Sequence, residues 1–208
     1  MDKNFIIGIP LRDFRDPMTR LSSDINLDER INLMKHMFLN IVKSFQETNV
    51  EIFSITKDSS VIDYSKKIGI ESFISKSKGL SEEAIEFLNS NKKYKGWTIC
   101  HADLPYITKY YAKNWINECM NNEILICESK DSGTPLIGGK NYIESFHYGK
   151  NSYKKHTEML NNKNINYKKV FHKELSFEVD DLEDYKQLIK NQPRWLRKIS
   201  NTSSPDRI

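Results

Sequence analysis

Short apolar runs of strand length alternate with helical spacing five times in the first 127 residues, and this rhythm leaves few folds open. The runs are residues 5–10, 50–55, 71–75, 97–100 and 124–127. Several are apolar almost throughout, which reads as strands covered on both faces. Between the first two, Ile31, Met34, Phe38, Ile41, Val42 and Phe45 recur at helical spacing, and Asn26 with Glu29 forms a capping-box pair ahead of them. Helices are also predicted over 59–68, over 81–89 with Ser81 as cap, and over 108–121. Alternation of this kind predicts an α/β fold: a single domain with a mostly parallel central sheet and helices on both faces. Residues 128–151 hold four of the eight glycines and read as a functional loop region with a strand inside it. Helices near 152–161, 181–190 and 193–198 and a strand near 175–179 complete the pattern. No repeat or low-complexity linker divides the chain, so one domain is expected over residues 1–200, with a tail at 201–208.

Composition narrows the function. Thirty-two basic residues against 28 acidic ones leave a net charge of only +4, too little for a polybasic nucleic-acid binder. The aromatics sit at core periodicities and offer no platform for stacked bases. No apolar run reaches membrane-spanning length, and the one at residues 5–10 is too short for a signal peptide. Cys100, Cys119 and Cys127 are odd in number and lack a Cys-x-x-Cys pair, which fits neither a disulfide framework nor a structural zinc site and suggests a reducing cytoplasm. Phosphate-loop, dinucleotide-binding, zinc-protease and nucleophile-elbow motifs are absent. His36, His147 and His172 have no partner at ligand spacing.

Ligands of open α/β sheets bind beyond the carboxyl ends of the strands. After the first strand come Pro10, Leu11, Arg12, Arg15 and Arg20, where arginines suit phosphates or simply a solvated loop. After the fourth comes His101-Ala102-Asp103-Leu104-Pro105, which presents a carboxylate to a Mg²⁺ ion or to the next helix as its cap. Glu178 and Asp180, two apart, share one face if their segment is a strand, and could complete a metal site with Asp103; Asp180 could equally cap a helix beginning at Asp181. Gly149-Lys-Asn-Ser152 opens a helix, where free N–H groups and a hydroxyl make an anion pocket or merely a cap. Ser152 and His156 are neighbours on one helix face.

Taken in order, these segments resemble the 2-phospho-L-lactate guanylyltransferase family, which acts in deazaflavin coenzyme biosynthesis. The resemblance rests on Ile9-Pro-Leu-Arg12 with Thr19-Arg-Leu-Ser22, on Ala102-Asp-Leu-Pro105, on Gly133-Thr134, on Gly149-x-x-Ser152-x-x-x-His156, and on Val179-Asp180 with Glu183-Asp184. It implies a nucleotide-diphospho-sugar transferase (GT-A-like) fold. It also implies an Mg²⁺-dependent nucleotidyltransferase that joins a nucleoside monophosphate, with GTP the favoured donor, to a small phosphorylated acid. Implied roles are nucleotide binding for Pro10, Leu11, Arg12, Arg20, Gly79, Ala102 and Asp103, acceptor binding for Thr134, Gly149, Ser152 and His156, metal binding for Asp103, Glu178 and Asp180, and catalysis for Asp103, Asp180 and Arg20. Met18 stands where the family has a lysine, Pro135 where it has an asparagine, and Glu178 where an aspartate is usual. Two other readings compete: an enzyme of the same fold acting on a sugar phosphate, and a non-catalytic nucleotide-binding protein. A homodimer is left open; no nucleic-acid or membrane partner is expected.

Overall fold

The computed structural model describes residues 4–46 and 48–197; the tail expected at 201–208 and the end of the helix expected at 193–198 lie outside them. The strands are β1 (Phe5–Pro10), β2 (Glu51–Ile55), β3 (Glu71–Phe73), β4 (Gly96–Cys100), β5 (Ile124–Cys127), β6 (Leu136–Gly139) and β7 (Tyr167–Val170). They form one sheet in the order β3-β2-β1-β4-β6-β5-β7. Every pairing is parallel except those of β6, which runs antiparallel to β4 and β5. The helices are α1 (Leu27–Gln46), α2 (Ser59–Lys67), α3 (Leu80–Ser90), α4 (Lys109–Asn121), α5 (Ser152–Asn162), α6 (Lys173–Ser176) and α7 (Leu182–Lys190). Among the described residues no helix is long and apolar enough to cross a membrane.

Alternation along β1 divides the core. Phe5, Ile7 and Ile9 face one cluster with Phe38, Phe45 and Trp115 of α1 and α4; Ile6 faces the other, with Phe87, Trp97 and Leu160. Gly8 belongs to the second face and has no side chain for a reason: a Cβ there would lie 2.6 Å from the Phe87 ring. α1 begins where expected, with the Glu29 N–H donating to Asn26 Oδ1 at 2.9 Å.

Three local expectations are corrected. The strand expected near 175–179 is instead one helical turn, α6, followed by an extended segment that touches the sheet edge through the Val179 N–H and the Asp103 carbonyl, 3.2 Å apart. β7, with two lysines among its four residues, was hidden by its polarity; as an outer strand it needs no apolar run. The cap of α3 is Gly79 rather than Ser81, whose Oγ accepts the Tyr148 N–H at 3.0 Å.

Candidate active site

The chain runs outward from β1 through β2 to β3 and then returns to β4 beside β1, which makes a topological switch point at the carboxyl ends of β1 and β4. The antiparallel β6 adds its starting end to that edge, where the His101 N–H donates to the Pro135 carbonyl at 2.9 Å. The extended residues 177–180 complete the site through the Val179 bond. Four segments distant in sequence thus meet: 10–20, 101–105, 129–135 and 177–180.

A cleft of about 340 Å³ opens here, and its lining includes Pro10, Leu11, Arg12, Met18, Ala102 and Asp103. Leu80, the first residue of α3, also lines it, so Gly79 stands at its rim. Gly79 has φ +103°, and a Cβ there would meet the Glu82 carboxylate at 2.6 Å. The floor of the loop is tied down by Arg30 of α1, which is buried and donates through Nη1 to Asp16 Oδ1 and the Pro17 carbonyl, both at 2.6 Å. Sequence reading missed Arg30, because a cation inside a helical repeat looks like a solvated face.

At one end of the cleft, His101, Asp103 and Glu178 each bring a ligand-type atom within 4.8 Å of the others. His101 Nδ1 lies 2.6 Å from Glu178 Oε1. Asp180 lies beside them and meets Arg20 Nη1 at 3.6 Å. Burial and the charge of Glu178 push Asp103 up to about 7, with His101 opposing, and push Asp180 up to about 6, with Arg20 opposing. Burial pulls the His101 imidazole down, but the charge and hydrogen bond of Glu178, with Asp103 and Asp180 behind them, carry it up to about 9. Asp103 Oδ1 and His101 Nε2 are buried without a hydrogen-bond partner. Crowded acids beside two orphaned polar atoms fit a divalent cation, which would supply the charge they lack. His101 was not assigned a role from sequence, although its place two residues before Asp103 was a usable signal.

The cap of α7 is Asp181, not Asp180. Its side chain accepts the Asp184 N–H, and Asp184 accepts those of Asp180 and Asp181, which leaves the Asp180 carboxylate to meet Arg20. Lys130 joins the buried Asp184 and so ties the 129–133 loop to the segment bearing Glu178 and Asp180.

Thr134, Ser152 and His156 do come together, but inward. Ser152 Oγ donates to Thr134 Oγ1 at 3.1 Å, Thr134 Oγ1 lies 3.0 Å from His156 Nδ1, and the His147 N–H donates to His156 Nε2 at 2.9 Å. Nε2 is therefore the bare nitrogen and Nδ1 carries the proton. Burial, helped by the nearby His147 and His101, pushes His156 down to about 3, so it stays neutral. All three side chains are buried; an acceptor would meet the loop they hold rather than their polar atoms. Gly149 is exposed, with nothing within 4 Å of where a Cβ would stand. The helix-opening residue before Ser152, Asn151, makes no side-chain cap. Ser152→Ala is therefore expected to cost about 1 kcal/mol, read as a fall of roughly 2–4 °C in Tm by calorimetry.

Comparison with known proteins bears on the family and the fold. The 2-phospho-L-lactate guanylyltransferase of Methanobrevibacter smithii is 29% identical over 162 residues, covering 76% of this chain and 71% of that protein. The protein of the same name from Methanosphaera stadtmanae is 28% identical over 192 residues, covering 87% and 82%. A solved structure from Desulfovibrio desulfuricans G20, assigned to the nucleotide-diphospho-sugar transferases, shares the fold with a TM-score of 0.82 over 96% of both chains at 14% identity. The family model described as guanylyl transferase CofC like matches residues 5–207, and the chain belongs to that family.

Proposed function

We propose that this protein transfers GMP from GTP to 2-phospho-L-lactate or a close relative such as phosphoenolpyruvate or a phosphoglycerate, with release of pyrophosphate. The observation that carries this reading is the meeting of the arginine-bearing loop after β1 with the acidic cluster after β4 across one cleft. A triphosphate needs the first and a divalent cation the second. An oxygen of the acceptor's phosphate forms the new bond at the α-phosphorus while the bond to the β-phosphate bridge breaks and pyrophosphate leaves in line. That phosphate is already ionised near neutral pH, so the step asks for alignment rather than for a general base.

Arg12 and Arg20 hold the triphosphate from the side where Met18 offers no charge. Asp103 and Asp180 would hold the cation, with Glu178 completing the acidic cluster beside it, Mg²⁺ being the ion that ordinarily accompanies a triphosphate; when bound, it would neutralise charge on the transferring group. The exposed Gly149 turn and the loop fixed by Thr134 receive the acceptor's anionic ends. The three free, buried cysteines suit a reducing cytoplasm.

A pyrophosphate-release assay over nucleotide and acceptor panels tests the reading. GTP with 2-phospho-L-lactate, phosphoenolpyruvate or a phosphoglycerate should outperform every hexose 1-phosphate. Release with sugar phosphates alone would overturn it, and release with none would favour a non-catalytic nucleotide binder. Arg20→Lys keeps the charge but loses the planar fork, so GTP affinity by calorimetry should weaken about fivefold with Tm unchanged.

A further inference from the structure

His101 has one nitrogen committed and one without a partner. Nδ1 lies 2.6 Å from Glu178 Oε1, whereas Nε2 is buried and bonded to nothing. Two residues along the chain, Asp103 Oδ1 is in the same condition. A ring nitrogen of His101 and one oxygen each of Asp103 and Glu178 lie within 4.8 Å of one another. The Tyr148 ring packs on the imidazole, with centroids 5.4 Å apart, and limits its rotation. Buried polar atoms normally find partners, so two orphans in one cluster mark a missing ligand.

Resting on the reading of this cleft as a metal-dependent transferase site, we propose that His101 is itself a metal ligand. Nε2 of His101 and Oδ1 of Asp103 bind the cation, and Glu178 stands behind the imidazole, accepting its Nδ1–H. This is the carboxylate–histidine–metal arrangement, in which the carboxylate fixes the tautomer and makes the other nitrogen a better donor. It gives the two neighbouring acids different duties, Asp103 on the ion and Glu178 on the ligand.

The consequence is selectivity. Mg²⁺ is a hard ion that prefers oxygen, and an imidazole nitrogen adds little to its binding. First-row transition ions gain from nitrogen in the order Mn²⁺, Fe²⁺, Co²⁺. When both are offered, the site takes Mn²⁺ or Co²⁺ in preference to Mg²⁺.

The test uses the full-length protein and the metal alone, without nucleotide or acceptor. Mn²⁺ should bind saturably, about tenfold or more tighter than Mg²⁺ in competition. Pulsed electron paramagnetic resonance of bound Mn²⁺ should show modulation from a directly coordinated ¹⁴N. His101→Gln should abolish that modulation and bring the Mn²⁺ to Mg²⁺ ratio down to that of an all-oxygen site. Glu178→Gln should keep the modulation while affinity falls about 10–100-fold. Absence of saturable Mn²⁺ binding or of ¹⁴N modulation in the wild type, or persistence in His101→Gln of the ¹⁴N modulation or of the wild-type Mn²⁺ to Mg²⁺ ratio, would overturn the proposal. The wild-type spectrum decides even if a variant fails to fold. Coordination without guanylyl transfer would count against the proposed function alone, and transfer without coordination would count against the ligand alone.

Discussion

Asp103→Asn is expected to lower the rate of guanylyl transfer by about 10³-fold or more, with the protein still folded. The substitution preserves shape and removes the charge a divalent cation requires. The backbone role of the residue, its carbonyl accepting the Val179 N–H, is untouched. The asparagine also ends the crowding of Asp103 against Glu178 and Asp180, so Tm above pH 7 should equal or exceed that of the wild type. Steady-state pyrophosphate release and calorimetry on one preparation check both halves. Activity near the wild-type level would remove Asp103 from the metal site; a collapsed Tm would make it a structural residue.

The metal-free protein is expected to lose stability as pH rises from about 5.5 to 9, with Tm falling by about 5 °C or more. A group held above its ordinary value stabilises the fold most while it keeps its proton. Asp103, raised to about 7, and Asp180, raised to about 6, favour folding most while protonated, and that contribution is lost as pH climbs through those values. His101, raised to about 9, adds stability that is full below its unfolded value and disappears as pH passes 9. The opposite trend, from carboxylates held low such as Glu86 at about 2 and Asp58, is spent below about pH 5 and leaves this window clear. Saturating Mn²⁺ or Mg²⁺ should restore most of the loss, with a larger increment at pH 8 than at pH 5.5, because a cation binds the ionised cluster. Scanning calorimetry with and without chelator reads this directly. A flat profile, or a metal effect independent of pH, would show that the three groups do not share one electrostatic site.

The sequence alone determined the repeating unit of this protein. Strands buried on both faces must be apolar throughout, and the helices covering them must carry apolar residues at every third or fourth position. β1, β2, β4, β5, α1 and α4 were therefore legible within a residue or two, and with them the α/β class. The loops that carry chemistry were legible for a related reason: Arg12 and Asp103 directly follow apolar strands, and such places face ligands in an open sheet. β7, on the outer edge and half polar, buries little and left no such trace.

Only the tertiary structure decided what those loops do to one another. That β6 runs antiparallel, bringing Pro135 against His101, depends on pairings with β4 and β5 that no local pattern encodes. His101 and Glu178 are 77 positions apart, and their 2.6 Å contact exists because the Val179 backbone bonds to Asp103. Asp180 was freed to meet Arg20 by a cap one residue later. Ser152 and His156, whose spacing resembles a binding motif, were turned inward onto Thr134 by the packing of α5. Periodicity reports how much of each segment is buried; which charges share a cleft depends on contacts between segments far apart in the chain, and these form only when the sheet closes.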